Sequence, residues 1–278
     1  AEIVIEGFVD TDFLEPEAPF AESHGHVALE DFNTSMTVTA ITHRKDAIFT
    51  SIISQLTPSE SSVIKRVAYE PIYLTHLSKT LGIKGIKKVY LHEPLTNLRK
   101  VLFIQFEQNV PTTEIWRALY GASSLASAIG KYVIAIDKDI NPENSDSIFW
   151  AMAYRANPAI DIKILKHRVP YGPKDRRVPG GEDSTLLIDA TLKNPMPPIA
   201  LPKRNYMENA KVIWDELGLP NLKPESPWHG YSLGDWSDEW TETANRATDG
   251  LYKENGKISE KLKRNDVKPN SSIRDTKR

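Results

Sequence analysis

The chain has 278 residues, of which 40% are hydrophobic and 26% charged, with a formal net charge of −2 and no cysteine. This is ordinary globular composition, enough for one large or two modest domains. The missing thiols exclude a disulfide framework and a thiolate metal site, and the near balance of charge gives no global case for a partner nucleic acid or membrane surface. No apolar run approaches the length of a membrane span, and Ala1 begins directly in a strand-like pattern instead of a secretory signal. A cytoplasmic location is the default expectation.

Ile3, Val4 and Ile5 predict a short strand that Gly7 ends. An acidic loop follows, with Glu15, Glu17 and Glu22 set among Pro16, Pro19 and Phe20. Each proline restricts its own backbone and that of the residue before it. A carboxylate on a stiffened, partly apolar loop is a candidate for general-acid work; the same residues also fit an acidic surface loop with solvated glutamates. His24 and His26 would share one side of a strand, as metal ligands do. No other histidine or carboxylate has a spacing that completes a metal site with them, and none is expected there.

Residues 36–41 alternate apolar and threonine side chains and predict a strand, with a second short one at 47–49. Thr57, Pro58, Ser59 and Glu60 predict a helix start, with Thr57 as cap, Pro58 in the first turn and Glu60 bonding back. Val63, Ile64 and Val67 share a helical face. Pro71 interrupts that pattern, and a second helical piece carrying Ile72, Leu77 and Leu81 ends at Gly82.

From Ile83 the pattern becomes α/β. Residues 88–91 and 100–106 read as strands, the latter nearly continuous in apolar residues, as a buried strand is. A helix opens at Pro111 and carries Ile115, Trp116, Leu119, Leu125 and Ile129 until Gly130 stops it. Residues 132–136 form another buried strand. Asn141 and Pro142 start a helix through Ile148, Trp150 and Met152, and 160–165 is the next strand. Strands alternating with helices predict a sheet with helices on its faces. No G-x-G-x-x-G is present, so a dinucleotide site at Asp137 has little support. Residues 168–181 are basic and rich in proline and glycine. They read either as a mobile surface loop or as a pocket wall meeting a carboxylate, with Val169, Pro170 and Tyr171 as candidates and Arg176 and Arg177 available to steer an acid.

After a proline-rich connector, 194–202, a helix at 206–217 presents Met207, Ala210, Val212, Ile213, Trp214 and Leu217. Beyond Leu219, prolines mark an extended arm with Trp228, Tyr231, Trp236 and Trp240. Exposed tryptophans favour packing on the domain or a neighbouring subunit. Residues 261–278 are charged and polar and are expected to be disordered.

Several of these stretches together resemble the UbiD family, reversible decarboxylases that use prenylated FMN. Ile5-Glu6-Gly7, then Glu17-Ala18-Pro19-Phe20-Ala21-Glu22, then Gly25 is similar to the family loop I-E-G, E-G-P-[FY]-G-[DE], G. Both loop glycines are alanine here (Ala18, Ala21), a departure that reshapes the loop where glycine conformations are needed. Thr42-His43-Arg44 is similar to the family's I-T-x-R segment. K-Y-V-I-A-I-D-K-D-I-N from Lys131, W-A-M-A-Y-R-A-N-P-A-I-D from Trp150, I-D-A-T-L-K from Ile188 and the helix through Ile213 and Gly218 follow in the family order, so the resemblance covers about residues 1–219.

The resemblance implies an α/β fold, α+β overall. Residues 1–57 would end a split β-barrel flavin-binding domain and 58–82 would form connecting helices. A C-terminal α/β domain would span 83–203, a C-terminal helix 204–219, and an extended arm and tail 220–278. It implies non-oxidative decarboxylation, or the reverse carboxylation, of a small aromatic or α,β-unsaturated carboxylic acid with prenylated FMN. Glu22 would be the proton donor, Glu17 would hold an arginine lying earlier in the family polypeptide, and Lys131 would reach the flavin phosphate. Lys131 equally suits a helix C-terminus, where the dipole favours a cation. The family's divalent metal (Mn) and potassium would have ligands outside this chain, as would the arginine. The chain would thus be the later part of a UbiD-like protein, a fragment or a split subunit with a separate N-terminal-half chain. The C-terminal helix implies a homo-oligomer; a helix folded on its own domain is the alternative. Two other functions stay open: a two-carboxylate hydrolase using Glu17 and Glu22, weakened by both acids sharing one short loop, and a non-catalytic assembly subunit of a multi-subunit carboxylase.

Overall fold

A computed structural model of the chain describes residues 1–170, 182–220 and 238–262, apart from positions 18, 23, 29, 30, 97–99, 127, 195, 197, 198, 201 and 203. The chain divides into two units, Ala1–Asn194 and Pro195–Arg278.

The first unit opens with an antiparallel ribbon in which β1 (Ile3–Val9) pairs with the strand Met36–His43, Ile5 lying opposite Ile41. Gly7 does not end the first strand. The strand continues past it, and the pairing register shifts between Glu6 and Gly7. A Cβ on Gly7 would lie 2.3 Å from the Thr37 carbonyl oxygen, so this irregularity admits no side chain. Between the ribbon strands, β2 (Glu15–Glu17) pairs with β5 (Asp31–Asn33), and β3 (Phe20–Ala21) pairs with β4 (Val27–Ala28); Met36–His43 is β6. Among the described residues these strands pair only two by two, and no closed sheet forms. The strand expected at 47–49 is irregular backbone instead. Ile48 and Phe49 are exposed there; an apolar run with no neighbour to share a ladder gains nothing from extension.

One helix stands where the sequence suggested two. α1 (Glu60–Thr75) runs through Pro71 and passes into a π-helical turn, His76–Thr80. Its cap is Ser59, not Thr57. The Ser59 hydroxyl accepts the Ser62 amide and the Ser62 hydroxyl accepts the Ser59 amide at 2.8 Å, a capping box made by two serines. Glu60, expected to bond back, accepts the Ile53 amide at 2.7 Å instead. Pro71 costs about 3 kcal/mol of helix stability, offset by burial of Tyr73 and Leu77 just beyond it, roughly 1.5–3 kcal/mol for a side chain such as leucine.

The centre of the unit is a five-stranded sheet of β7 (Ile86–His92), β8 (Val101–Phe106), β9 (Tyr132–Asp137), β10 (Ile162–Arg168) and β11 (Asp183–Asp189), in the order β10-β11-β9-β8-β7. β8, β9 and β11 run parallel, and the two edge strands run antiparallel to them. α2 (Thr112–Leu125) makes the crossover from β8 to β9. It packs Ile115, Leu119 and Ala122 with Leu77 against Leu102, Ile104, Val133 and Leu187. The alternate residues Phe103, Ile134, Ile136 and Ile188 are also buried, so both faces are covered, as parallel strands require. α2 stops at Leu125, earlier than expected, because Ala126 is already extended; Gly130, at φ +81°, then turns the chain into β9. α3 (Ser145–Arg155) starts from an Asn144 cap, beyond the Asn141 of the sequence pattern.

In the second unit, α4 (Arg204–Glu216) matches the expected helix, and α5 (Asp238–Thr248) and α6 (Tyr252–Leu262) form a helical pair. Asn255 ties the pair together. Its amide nitrogen donates to the Thr243 carbonyl at 2.9 Å and its oxygen accepts from Arg246 at 2.8 Å. The low apolar content of this stretch hid both helices from pattern reading. Trp228, Tyr231 and Trp236, and the tail from 263, lie outside the described residues, as do Tyr171, Arg176 and Arg177. No helix among the described residues is long and apolar enough to cross a membrane.

Candidate functional site

The acidic loop folds as two short ladders. Glu17 ends β2, is exposed, and accepts a hydrogen bond from the Asn33 amide group of the paired strand at 2.8 Å. Glu22 follows β3 and is half-buried. Its backbone amide donates to the His26 carbonyl at 3.0 Å and its carbonyl accepts the Gly25 amide at 2.9 Å, which closes a tight turn. Within that turn the His24 Nδ1 atom accepts the His26 amide at 3.2 Å, and the two imidazoles stand 5.4 Å apart. Burial holds the His24 imidazole below its ordinary range; His26 and Lys100 push it the same way and Glu22 opposes them. Glu22 and Lys100 therefore act on the same ring. Among the described residues no group of three or more histidine, aspartate or glutamate side chains is arranged to hold a metal ion. Ala18 is outside the described residues, and Ala21 ends β3.

Lys131 stands in a small open cleft lined by Lys100, Gly130, Arg168, Asp183 and Thr185, with Val169 on its wall. The sheet builds this cleft at the N-terminal ends of its parallel strands. Val101 lies opposite Tyr132, and Tyr132 lies opposite Leu186, so Lys100 and Lys131 are neighbours one residue before their strands. Backbone bonds fasten them there: the Tyr132 amide donates to the Lys100 carbonyl and the Leu186 amide to the Lys131 carbonyl, both at 2.8 Å. Lys131 Nζ lies 2.9 and 3.2 Å from the two oxygens of Asp183, which opens β11. Burial works to raise the Asp183 carboxyl, but hydrogen bonds from Lys131 and the Ser184 amide, with the charges of Lys131 and Lys100, outweigh it and hold the group below its ordinary value. Burial lowers the Lys100 ammonium, and Lys131 adds to this while Asp183 opposes it. Arg168 ends β10; its Nε donates to Thr185 Oγ1 at 3.1 Å and its Nη2 to the carbonyls of Ser123 and Ala126 at the end of α2. Thr185 in turn donates to the Gly130 carbonyl at 2.8 Å. The cleft thus holds three cations against one carboxylate, a composition that suits a phosphate group.

The opposite ends of the same strands are sealed. Asp137 closes β9 and Asp189 closes β11, and both are buried. Arg155, at the end of α3, donates to Asp137 and Asp139, each at 2.9 Å, with Trp150 stacked 5.0 Å from its guanidinium. Lys193 reaches Asp161 and Asp189 at 3.4 and 3.3 Å. Burial pushes the Asp137 carboxyl up to about 6; the Leu192 amide and Arg155 restrain the rise, and Asp139 and Asp189 add to it. Arg155 loses hydration on burial, yet Asp139 and Asp137 hold it above its ordinary value.

Lys131 lines the cleft and pairs with Asp183, and both Glu22 and Lys100 act on the His24 ring. Glu17 is held by Asn33 instead. Pattern reading missed Lys100 and Asp183, which appear in sequence only as polar residues bordering apolar runs. It placed Arg168 at the start of a loop, where the structure makes it the end of β10.

The fold agrees with the comparisons. Residues 1–56 match the family model of the 3-octaprenyl-4-hydroxybenzoate carboxy-lyase Rift-related domain, and residues 63–190 match that of the corresponding C-terminal domain. Among solved structures, the chain is similar to the UbiD-class enzyme HmfF from Pelotomaculum thermopropionicum in complex with FMN, with a TM-score of 0.57 and 25% identity over 74% of this chain and 43% of that one. An evolved dimeric form of the same enzyme in complex with prFMN superposes with a TM-score of 0.58 at 24% identity, over 76% of this chain and 44% of that one. Vanillic acid decarboxylase from Sedimentibacter hydroxybenzoicus has the same fold at 20% identity, with a TM-score of 0.58 over 77% of this chain and 47% of that one. The chain spans less than half the length of each of these structures. With two family models matched in order from its first residue to Ala190, the chain belongs to the UbiD family.

Proposed function

We propose that the protein takes part in the reversible non-oxidative decarboxylation of a small aromatic or α,β-unsaturated carboxylic acid, with prenylated FMN as its cofactor. The observation that carries this is the cleft lined by Lys100, Lys131 and Arg168 in a chain of this family, because cationic side chains suit the flavin phosphate. When bound, prenylated FMN supplies an electron sink for the charge left behind as CO2 departs. The chain's own residues supply the rest. Lys131 pairs with the phosphate and fixes the cofactor's position. Glu22 gives a proton to the carbon from which CO2 has left. Glu17 orients an arginine contributed from outside the chain. Nothing in this set requires a metal ligand from residues 1–278; the manganese and potassium expected of the family are held elsewhere.

In this reading β1 and β6 are two strands of a larger split barrel. Ile5 and Ile41, paired across the ribbon, are 56% and 58% exposed, and Phe8 is 77% exposed, an apolar surface that further strands would cover. The same surface supports a second reading: a split or assembly subunit that acts only with a separate chain covering these strands. The exposed Tyr206, Val212, Ile213 and Leu217 of α4 and the residue following it would meet a second copy of the chain. Truncation after Pro202, followed by light scattering, tests that contact; an oligomer of unchanged subunit number places the interface elsewhere.

The catalytic reading is tested by Glu22→Gln in the assembled protein. Turnover and hydrogen–deuterium exchange at the reacting carbon are expected to vanish while flavin absorbance stays with the protein. Full activity in that variant overturns the assignment of Glu22. A purified chain with no flavin, active only when the missing half is supplied, favours the split subunit.

A further inference from the structure

We propose that His24 is a proton-sensitive latch on the turn that carries Glu22: neutral, it holds the turn closed, and protonated, it releases it. The latch rests on the bonds of the turn itself; its effect on turnover rests on the reading of Glu22 as the proton donor.

In sequence His24 and His26 read as a pair suited to a metal, yet among the described residues no metal cluster forms. The turn uses the two rings differently. A backbone N–H only donates, so the His26 amide, 3.2 Å from His24 Nδ1, requires a lone pair on that nitrogen. The neutral His24 ring therefore carries its proton on Nε2. A carbonyl only accepts, so His26 Nδ1, 3.2 Å from the His24 carbonyl oxygen, carries a proton. The two rings thus differ in what a second proton does. A protonated His26 still donates from Nδ1 and keeps its bond. A protonated His24 turns Nδ1 into a donor aimed at the His26 amide, and two N–H groups then face each other where a bond stood.

The surroundings work in the same direction. The charged groups acting on the His24 ring are His26 and Glu22 from its own turn and Lys100, the residue before β8. Burial, His26 and Lys100 disfavour the imidazolium, and Glu22 only partly offsets them. Two backbone bonds close the rest of the turn, from the Glu22 amide to the His26 carbonyl and from the Gly25 amide to the Glu22 carbonyl. Both involve Glu22, so loosening His26 moves the backbone on which the Glu22 side chain stands. Gly25, at φ +81°, seats the turn: a Cβ there would lie 3.5 Å from Leu56 Cα and from the Thr57 nitrogen. Thr57 is buried, so the latch closes against a fixed support. The ring lies below its ordinary value of 6.5 in the closed turn, so an opened turn takes up the proton first. Opening therefore grows as the pH falls through the ordinary value, by about tenfold per pH unit at most.

NMR of the ring nitrogens and amides of the full chain, titrated between about pH 5 and 8, tests the latch. Neutral His24 is expected as the Nε2–H tautomer, and the His26 amide is expected to shift as His24 titrates. His24→Asn keeps an acceptor near the place of Nδ1 but does not titrate, and should hold the His26 amide unshifted across the range. His24→Ala lacks the acceptor and should speed exchange of that amide by about fivefold at every pH, the loss of one hydrogen bond. An Nδ1–H tautomer at neutral His24, or a His26 amide that stays unshifted while His24 titrates, overturns the latch and leaves the reading of Glu22 standing. In the assembled protein, wild type is expected to lose turnover in acid and His24→Asn to retain it there. A proton donor acting alone loses activity toward alkaline pH instead, so the acid limb reports the latch. An acid limb unchanged in His24→Asn overturns the link between latch and turnover. Turnover unaffected by His24→Ala, with the His26 amide opened in that variant, overturns the part of Glu22 and leaves the latch standing.

Discussion

The two ends of the parallel strands in the central sheet carry the same kinds of residue and do opposite things with them. At the C-terminal ends, Asp137 and Asp189 meet Arg155 and Lys193 in a buried, mutually bonded network. At the N-terminal ends, Lys100 and Lys131 meet Asp183 in a cleft open to solvent. The charges of Asp137, Asp189 and Arg155 at the first end are buried, so each must keep its partner or leave an uncompensated charge in the core. Those at the second keep part of their hydration, and partners there can be exchanged at small cost. The difference teaches that the same residue types can lock a fold or stay exchangeable, and that retained solvation decides which.

The largest effect is expected at the sealed end. Arg155→Met removes the cation shared by Asp137 and Asp139 and is expected to destabilise the fold by about 3–5 kcal/mol in urea unfolding at neutral pH. The loss depends on pH in a defined direction. The folded value of Asp137, about 6, lies above its ordinary 3.8, so the native state holds the extra proton between those limits. That contribution to stability is present at low pH and is lost as the pH rises toward 6, because the unfolded chain then releases its proton first. A variant lacking Arg155 therefore loses less stability at pH 5 than at pH 7.5, since a protonated Asp137 needs no cation. A deficit independent of pH would show that Asp137 is ionised throughout.

Lys193→Met is next. The ammonium donates to the carbonyls of Arg155, Asp189 and Thr191 and neutralises Asp189, which is fully buried. A loss of about 2 kcal/mol is expected in the same unfolding measurement, as for a hydrogen-bonded charge left partly unmatched. A change as small as that of a surface substitution would place the network's stability in Arg155 alone.

At the open end the effect on stability is expected to be below about 1 kcal/mol for Lys131→Met, after allowance for solvent screening. Asp183 is held below its ordinary value, so its contribution is present above the ordinary carboxylate range and is lost as acid titrates it. The stabilities of Asp183→Asn and wild type should therefore converge at low pH. A thermal-unfolding loss for Lys131→Met as large as that of Arg155→Met would dissolve the contrast between the two ends.

The smallest effect is expected in the acidic loop. Asn33→Ala removes the hydrogen bond to Glu17 between two exposed side chains and should shift stability by about 0.5 kcal/mol or less. If Glu17 orients a partner's arginine, the same variant nonetheless lowers turnover in the assembled enzyme; unchanged kcat leaves Asn33 without a part in the site.

Much of this was written locally in the sequence. The apolar runs of β8 and β9, the helical face of α2 and the family motifs from Lys131 to Lys193 need only neighbours in the chain to be recognised, because side-chain period and turn residues are local properties. Tertiary structure decided what those properties leave open. β11, which begins with Asp183, Ser184 and Thr185, carries too little apolar pattern at its start to announce itself, yet it lies second from the sheet's edge, between β10 and β9. Strand order and register then bring Lys100, Lys131 and Asp183 together from three distant segments, and they close Asp137 and Asp189 under Arg155. The physical reason is that periodicity states which face of a strand is apolar but not which strand lies beside it. Whether a charge is sealed or exchangeable depends on that neighbour.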